Sequence, residues 1–206
     1  MIQSYPGLFF SFEGGEGTGK STQIKLVADA LRKKGHPLIV SFEPGGTALG
    51  QKIREMLISP SQEPMSFRCE ALLYAAARAE HVDKVIAPGL KQGKHILCDR
   101  FIDASRAYQG LGRNLGEGPI FDINIWATNG LLPHRIYVFD LDPKIGLSRA
   151  QKRQAGTLDR IEAAGLEFHS NIRRSYLRLA KQNPEQYKVI DASQQLEKVT
   201  QDLLED

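Results

Sequence analysis

Phe12-Glu13-Gly14-Gly15-Glu16-Gly17-Thr18-Gly19-Lys20-Ser21 is the stretch that decides the fold. From Gly14 to Ser21 it satisfies the pattern G-x-x-x-x-G-K-[ST], which carries meaning only between a strand and a helix. Both are predicted here. Leu8 to Glu13 is a short aromatic run that stops at two glycines, as a buried strand entering a tight turn does. Lys20 to Lys34 then carries Ile24, Val27, Ala28 and Leu31 at helical spacing, with Gly35 as a plausible stop. In such a loop the backbone N–H groups turn inward around phosphate oxygens, and the helix N-terminus adds roughly half a positive charge at the same place. Gly14, Gly15, Glu16, Gly17, Thr18, Gly19, Lys20 and Ser21 are therefore expected to hold a nucleoside triphosphate. Lys20 would reach the β and γ phosphates and Ser21 would ligate Mg²⁺.

Outward from this loop, the pattern is one of strands alternating with helices. Further strands are predicted at 37–42, 95–98, 135–139 and 187–190, and helices at 49–58, at about 67–87 ending before Pro88-Gly89, and after Asp191 as a final amphipathic helix running to the terminus. That alternation predicts the α/β P-loop fold, a five-stranded parallel sheet with helices on both faces. A polar stretch rich in arginine, about 149–162 and flanked by helical patterns, reads as a short lid inserted in one domain spanning 1–206.

Composition narrows the partners. Lys and Arg outnumber Asp and Glu by 27 to 24, a formal charge of +3 too small and dispersed for a nucleic-acid surface. Cys69 and Cys98 are the only cysteines and show no CxxC spacing. The five histidines, at 36, 81, 95, 134 and 169, show no metal-ligand spacing. No apolar run approaches the roughly 20 residues of a membrane span, and Met1-Ile2-Gln3-Ser4-Tyr5-Pro6 has no basic leader character, so a cytoplasmic protein is expected. The phosphate loop leaves several classes open. No Asn-Lys-x-Asp follows a strand, which disfavours a GTPase. A kinase acting on a small acceptor and a nucleotide-driven switch both remain.

Five elements narrow the acceptor: the phosphate loop itself, Glu43-Pro44-Gly45-Gly46-Thr47 after the second strand, Leu72-Leu73-Tyr74-Ala75-Ala76-Ala77-Arg78 on the long helix, Asp99-Arg100-Phe101 through Ala107-Tyr108-Gln109-Gly110, and Leu158-Asp159-Arg160-Ile161-Glu162 in the lid. Together, in this order, they resemble the thymidylate kinase family, whose members make dTDP from dTMP and ATP. The first motif is generic, whereas the set is specific and spans nearly the whole chain.

The residues also have a rationale of their own. Glu43, Asp99 and Arg100 fall at carboxyl ends of strands, where ligands gather in doubly wound sheets. Asp99 can hold Mg²⁺ and Arg100 can clamp phosphate, or the two can simply cap the strand. Tyr74 and Arg78 are four apart on a helix, so a ring that stacks on a base and a guanidinium that donates to it would share one face. The resemblance implies that the base is thymine and that Arg78 meets its O4. Ser105, Tyr108 and Gln109 follow Asp99-Arg100 within about two turns of predicted helix, close enough to line the same pocket; the resemblance implies that Ser105 lies near the base edge, that Tyr108 crowds the sugar C2′, and that Glu16 accepts from the 3′-hydroxyl. The family more often carries Phe at Tyr74 and Ser at Ala104.

Gly17 stands where eukaryotic members carry an arginine facing the transferring phosphate. The resemblance to bacterial members places that charge in the lid instead, on Arg153 first and Arg149 second. It further implies a homodimer built on helices beside the acceptor site. A kinase of the same architecture acting on another monophosphate or a deoxynucleoside is the alternative within enzymes.

Overall fold

The computed structural model describes residues 5–59, 64–153 and 160–206, without the Arg153 side chain. The described residues form one parallel sheet whose strands are β1 (Phe9–Gly14), β2 (Leu38–Phe42), β3 (His95–Asp99), β4 (Arg135–Asp140) and β5 (Tyr187–Asp191). Their spatial order is β2-β3-β1-β4-β5. With β1 central, both of its faces are buried, so that even Ser11 and Glu13, which alternate with Phe10 and Phe12, are shut away from water. Phe12 packs with Ile24, Val27, Ala28, Leu97, Tyr137, Val199 and Leu203 on one side. Phe9 packs with Val82, Ile86, Leu90 and Ile96 on the other.

The first face is covered by α1 (Lys20–Lys33) and α9 (Leu196–Leu204). Around the other strand ends and face lie α2 (Ala48–Ile58), α3 (Phe67–His81), α4 (Ala87–Lys91), α5 (Ile102–Ser105), α6 (Glu117–Ala127), α7 (Pro143–Arg153) and α8 (Leu166–Gln182). Thr47 caps α2 by accepting from Gly50 N, and Ser66 caps α3 by accepting from Cys69 N.

Register sets the site. Phe12 and Phe42 both stand opposite Asp99, and Gly14 stands opposite Phe139. The carboxyl ends of β1, β2 and β3 are therefore level, and the loops that leave them start from one edge.

Two elements differ from the sequence reading. The long helix does not end before Pro88-Gly89: α3 passes through a π-helical turn at Val82–Ile86 into α4, which reaches Lys91. Pro88 lies in the first turn of α4, where a missing N–H costs little. Gly89 is a close-approach residue, since a Cβ there would come within 2.8 Å of Ile39 and 2.9 Å of Ile96. The other is α6, which periodicity does not announce, because Gly118-Pro119 resembles a turn. Pro119 instead occupies its first turn. A second π-helical stretch, Arg106–Gly112, continues α5 and carries Tyr108 and Gln109.

Candidate active site

The phosphate loop is held from two sides and open on a third. A Cβ on Gly14 would strike the Phe139 carbonyl oxygen at 2.6 Å, and one on Gly17 would strike the Gly146 carbonyl oxygen of α7 at 2.0 Å. At Gly15 and Gly19 it would meet nothing within 4 Å. Gly17 and Gly19 have φ of 64° and 86°, values that glycine reaches without strain. The loop thus wraps a space with its backbone, and the start of α7 lies directly on it. That packing explains why Gly17 carries no side chain and why the arginine found there in the eukaryotic pattern has no room.

Lys20 is buried, and its Nζ donates to Gly14 O at 3.1 Å, Gly15 O at 2.8 Å and Thr18 Oγ1 at 3.2 Å. These neutral acceptors cradle the ammonium without cancelling its charge. Burial, then the neighbouring Arg100, push its pKa down to about 8, against the pull of Asp99, Glu16 and Glu13. An arriving polyphosphate would replace weak carbonyl partners with anionic ones, which favours the charged form.

Ser21 Oγ donates to Asp99 Oδ2 at 2.7 Å, so the two residues read from sequence as metal ligands are in contact. A hydroxyl and a carboxylate are hard oxygen donors of the kind Mg²⁺ takes alongside water and phosphate.

Glu16 is engaged as a charge in the loop must be. Arg100 Nη2 donates to its Oε1 at 2.7 Å, and the Tyr108 hydroxyl donates to the same oxygen at 2.8 Å. Burial works to raise the Glu16 pKa, but Arg100, Lys20 and Tyr108 outweigh it and hold the carboxyl at about 2. Arg100 also donates to Gly14 O at 3.0 Å, and its guanidinium carbon lies 4.8 Å from the Tyr108 ring centre. Arg100 itself has φ of 71°, uncommon outside glycine and frequent at functional sites. Behind it, Glu13 accepts from Ser11 Oγ and from Phe101 N at 2.7 Å each, and from the Tyr176 hydroxyl at 3.0 Å. This buried carboxyl pins the chain that leaves β3, a role its place next to the glycines conceals in the sequence.

The acceptor helix is more deeply built in than its spacing suggests. Arg78 is 1% exposed. It donates to Glu43 Oε2 at 2.7 Å, Ser105 Oγ at 3.0 Å, Phe101 O at 2.9 Å and Asn124 Oδ1, which uses four of its five N–H groups. Ser105 is thus a partner of Arg78. Glu43 holds His81 Nδ1 at 2.9 Å with its other oxygen, and His81 Nε2 meets Ser41 Oγ at 2.6 Å. Glu43, His81 and Cys98 bring possible ligand atoms within 4.8 Å of one another, yet both oxygens of Glu43 are already taken by Arg78 and His81. Tyr74 is partly buried beside Ile53, Leu57 and Ala77. Gln109 is buried and donates to Glu70 Oε1 at 2.8 Å. Asn124, which accepts from Arg78, and Glu70, which accepts from Gln109, are marked by no motif, because both fall outside the recognisable runs.

Of the lid, Arg149 is exposed on α7 and Nη1 lies 3.5 Å from Ala192 O. Arg153 ends α7, and its side chain, with residues 154–159 including Leu158 and Asp159, lies outside the described residues. Arg160 donates to Leu57 O at 3.0 Å.

The family profile described as thymidylate kinase matches residues 12–203. That extent includes the loop, the acceptor helix and the lid. The chain belongs to the thymidylate kinase family. A thymidylate kinase of Exiguobacterium sp. is 45% identical over 199 residues, covering 97% of this chain and 93% of the relative. One from Alcanivorax borkumensis is 46% identical over 197 residues, covering 96% and 94%. Among solved structures, the thymidylate kinase of Ehrlichia chaffeensis superposes with a TM-score of 0.77 at 29% identity, covering 97% of each chain. Family membership confirms the α/β P-loop architecture and the enzyme class, a nucleoside monophosphate kinase.

Proposed function

We propose that this chain transfers the γ-phosphoryl group of ATP to dTMP, giving dTDP. The observation that carries the reading is the shared carboxylate of Glu16. It sits inside the phosphate loop yet is bound by Arg100 and Tyr108, residues of the acceptor motif. Donor and acceptor halves thus meet at one partly buried ion pair.

An acceptor phosphate monoester has a second pKa of about 6 and is largely a dianion at neutral pH, so no general base is required. Catalysis reduces to alignment and charge neutralisation. Lys20 and the loop amides hold the β and γ phosphates. Arg100 is placed to exchange backbone and carboxylate partners for acceptor phosphate oxygens. Glu16 accepts from the sugar 3′-hydroxyl, Tyr108 stands against C2′, and Tyr74 stacks on the base. Arg78 donates its remaining N–H to thymine O4, with Ser105 and Gln109 holding the wall behind it. Ser21 and Asp99 would hold Mg²⁺, which when bound neutralises charge on the β and γ oxygens. Arg153, with Arg149 second, brings the lid charge that Gly17 cannot. Such an arginine contributes roughly 10³–10⁵ in rate in related phosphoryl transfers.

The enzyme acts as one P-loop domain with its lid, in the cytoplasm, as a homodimer. Support for the dimer is the apolar surface on two helices of the acceptor side, Leu72 on α3 and Trp126 on α6 at 85% exposed. Among the described residues no helix is long and apolar enough to cross a membrane.

The test is ADP release coupled to a panel of dTMP, dUMP, dCMP and AMP with Mg-ATP. Turnover highest with dTMP supports the reading. Higher kcat/KM with another monophosphate would favour the same architecture with a different acceptor, and no product with any would favour a nucleotide-driven switch.

A further inference from the structure

Glu70 stands four residues before Tyr74 and eight before Arg78 on α3, so the three side chains share one helix face. Its carboxylate is 0% exposed, a placement that requires partners. They come from two segments outside α3. Gln109, in the π-helical stretch after β3, donates to Oε1 at 2.8 Å, and Arg113, which follows that stretch, has Nε 3.4 Å from the same oxygen. Arg160, at the C-terminal foot of the lid, brings Nη1 to 2.6 Å from Oε2.

The two guanidinium groups are themselves fixed. Arg113 lies between the rings of Phe67 and Phe168, at 4.9 and 4.7 Å from their centres. Arg160 Nε donates to Leu57 O at the end of α2. One carboxylate therefore joins the acceptor helix, the segment bearing Tyr108, and the lid's foot. Gln109 and Arg113 both face Oε1, so Arg160 is the cation that stands at Oε2 among the described residues.

We infer that Glu70 is a positioning residue that fixes the acceptor helix α3 against the segment bearing Tyr108 and Gln109, with Arg160 as its second anchor. The inference rests on the proposed phosphoryl transfer to dTMP. It assigns to the Glu70–Arg160 pair no contact with the reacting atoms; the pair acts through Tyr74 and Gln109.

A double-mutant cycle with Glu70→Gln, Arg160→Gln and both together tests it, read as kcat and as separate KM values for dTMP and ATP, well below the unfolding temperature of each variant. Each single substitution is expected to lower kcat/KM for dTMP about tenfold or more while KM for ATP stays within about twofold. The double variant should be no more than about threefold worse than the poorer single, because coupled partners fail together. Single effects that multiply in the double variant overturn the inference, as does kcat/KM for dTMP unchanged in the folded singles. Should Glu70→Gln not fold, Arg160→Gln alone decides, since its side chain is partly exposed. A rise in KM for ATP with dTMP kinetics unchanged would overturn the positioning role. The wild-type chain is the control. Inactivity on dTMP there sinks the proposed function, whereas an active wild type with multiplicative singles sinks the positioning role alone.

Discussion

Lys20 illustrates how much a single charge depends on what surrounds it. With its pKa at about 8 in the free protein and an ordinary lysine value of 10.5, the ammonium begins to lose its proton within a unit or so of neutrality. A bound triphosphate restores the charge, so Mg-ATP binding should take up a proton near pH 8 and weaken by up to about tenfold per pH unit above it. Calorimetry in two buffers of different ionisation heat measures that uptake; a heat independent of buffer would remove Lys20 from this role. Gly17 makes the complementary point, that an absent side chain can be a structural requirement. Gly17→Ala places a Cβ 2.0 Å from a backbone oxygen at positive φ. It should cost about 1–3 kcal/mol in backbone strain alone, seen in urea unfolding, together with weaker Mg-ATP binding.

Elements show where periodicity stops being a sufficient guide. The helical pattern from Phe67 onward is legible, but its apparent end at Pro88-Gly89 is not an end. Gly89 is there because β2 and β3 lie against it, and contacts across the chain leave no local trace. Gly89→Val should lower stability by about 1–3 kcal/mol through overpacking while leaving both KM values unchanged. A stabilised variant would mean that the helix tolerates bulk at this point and that the close approach is not limiting. In α6 the same problem has the opposite sign, since Gly118 and Pro119 give no local helix signal although a first helical turn accepts both. The residues that matter most in α6, above all Asn124, are recognisable only from what they touch.

Across the whole molecule, charge is buried beneath the site, and pH should reveal it. Burial, then the nearby Asp103, raise the Glu13 pKa to about 7 from 4.5. Between those values the folded chain keeps a proton that the unfolded chain has released, so raising pH there destabilises the fold. Asp103 is raised as well and acts in the same direction, whereas the lowered pKa of His169 opposes it. Glu13→Gln should therefore remove part of the fall in Tm between pH 5 and pH 7, measured against wild type by thermal unfolding. Parallel Tm profiles for the two proteins would show that Glu13 carries no such proton.

The sequence by itself determined the phosphate loop, the alternation of strands and helices, the family and hence the acceptor class, because these rest on local spacing and on backbone chemistry that glycine, lysine and helix period express directly. Ser21 and Asp99, 78 positions apart, are both legible, the first as the last residue of the phosphate-loop motif and the second as the end of a strand. Only the tertiary structure decided that Arg78 is wholly buried among Glu43, Ser105 and Asn124, that Gln109 serves Glu70, and that α7 leaves no room for a side chain at Gly17. The physical reason is that desolvation and partner choice belong to pairs of groups from different elements. A residue's own neighbours in the chain carry the code for helix or strand, but not for which buried charge it will meet.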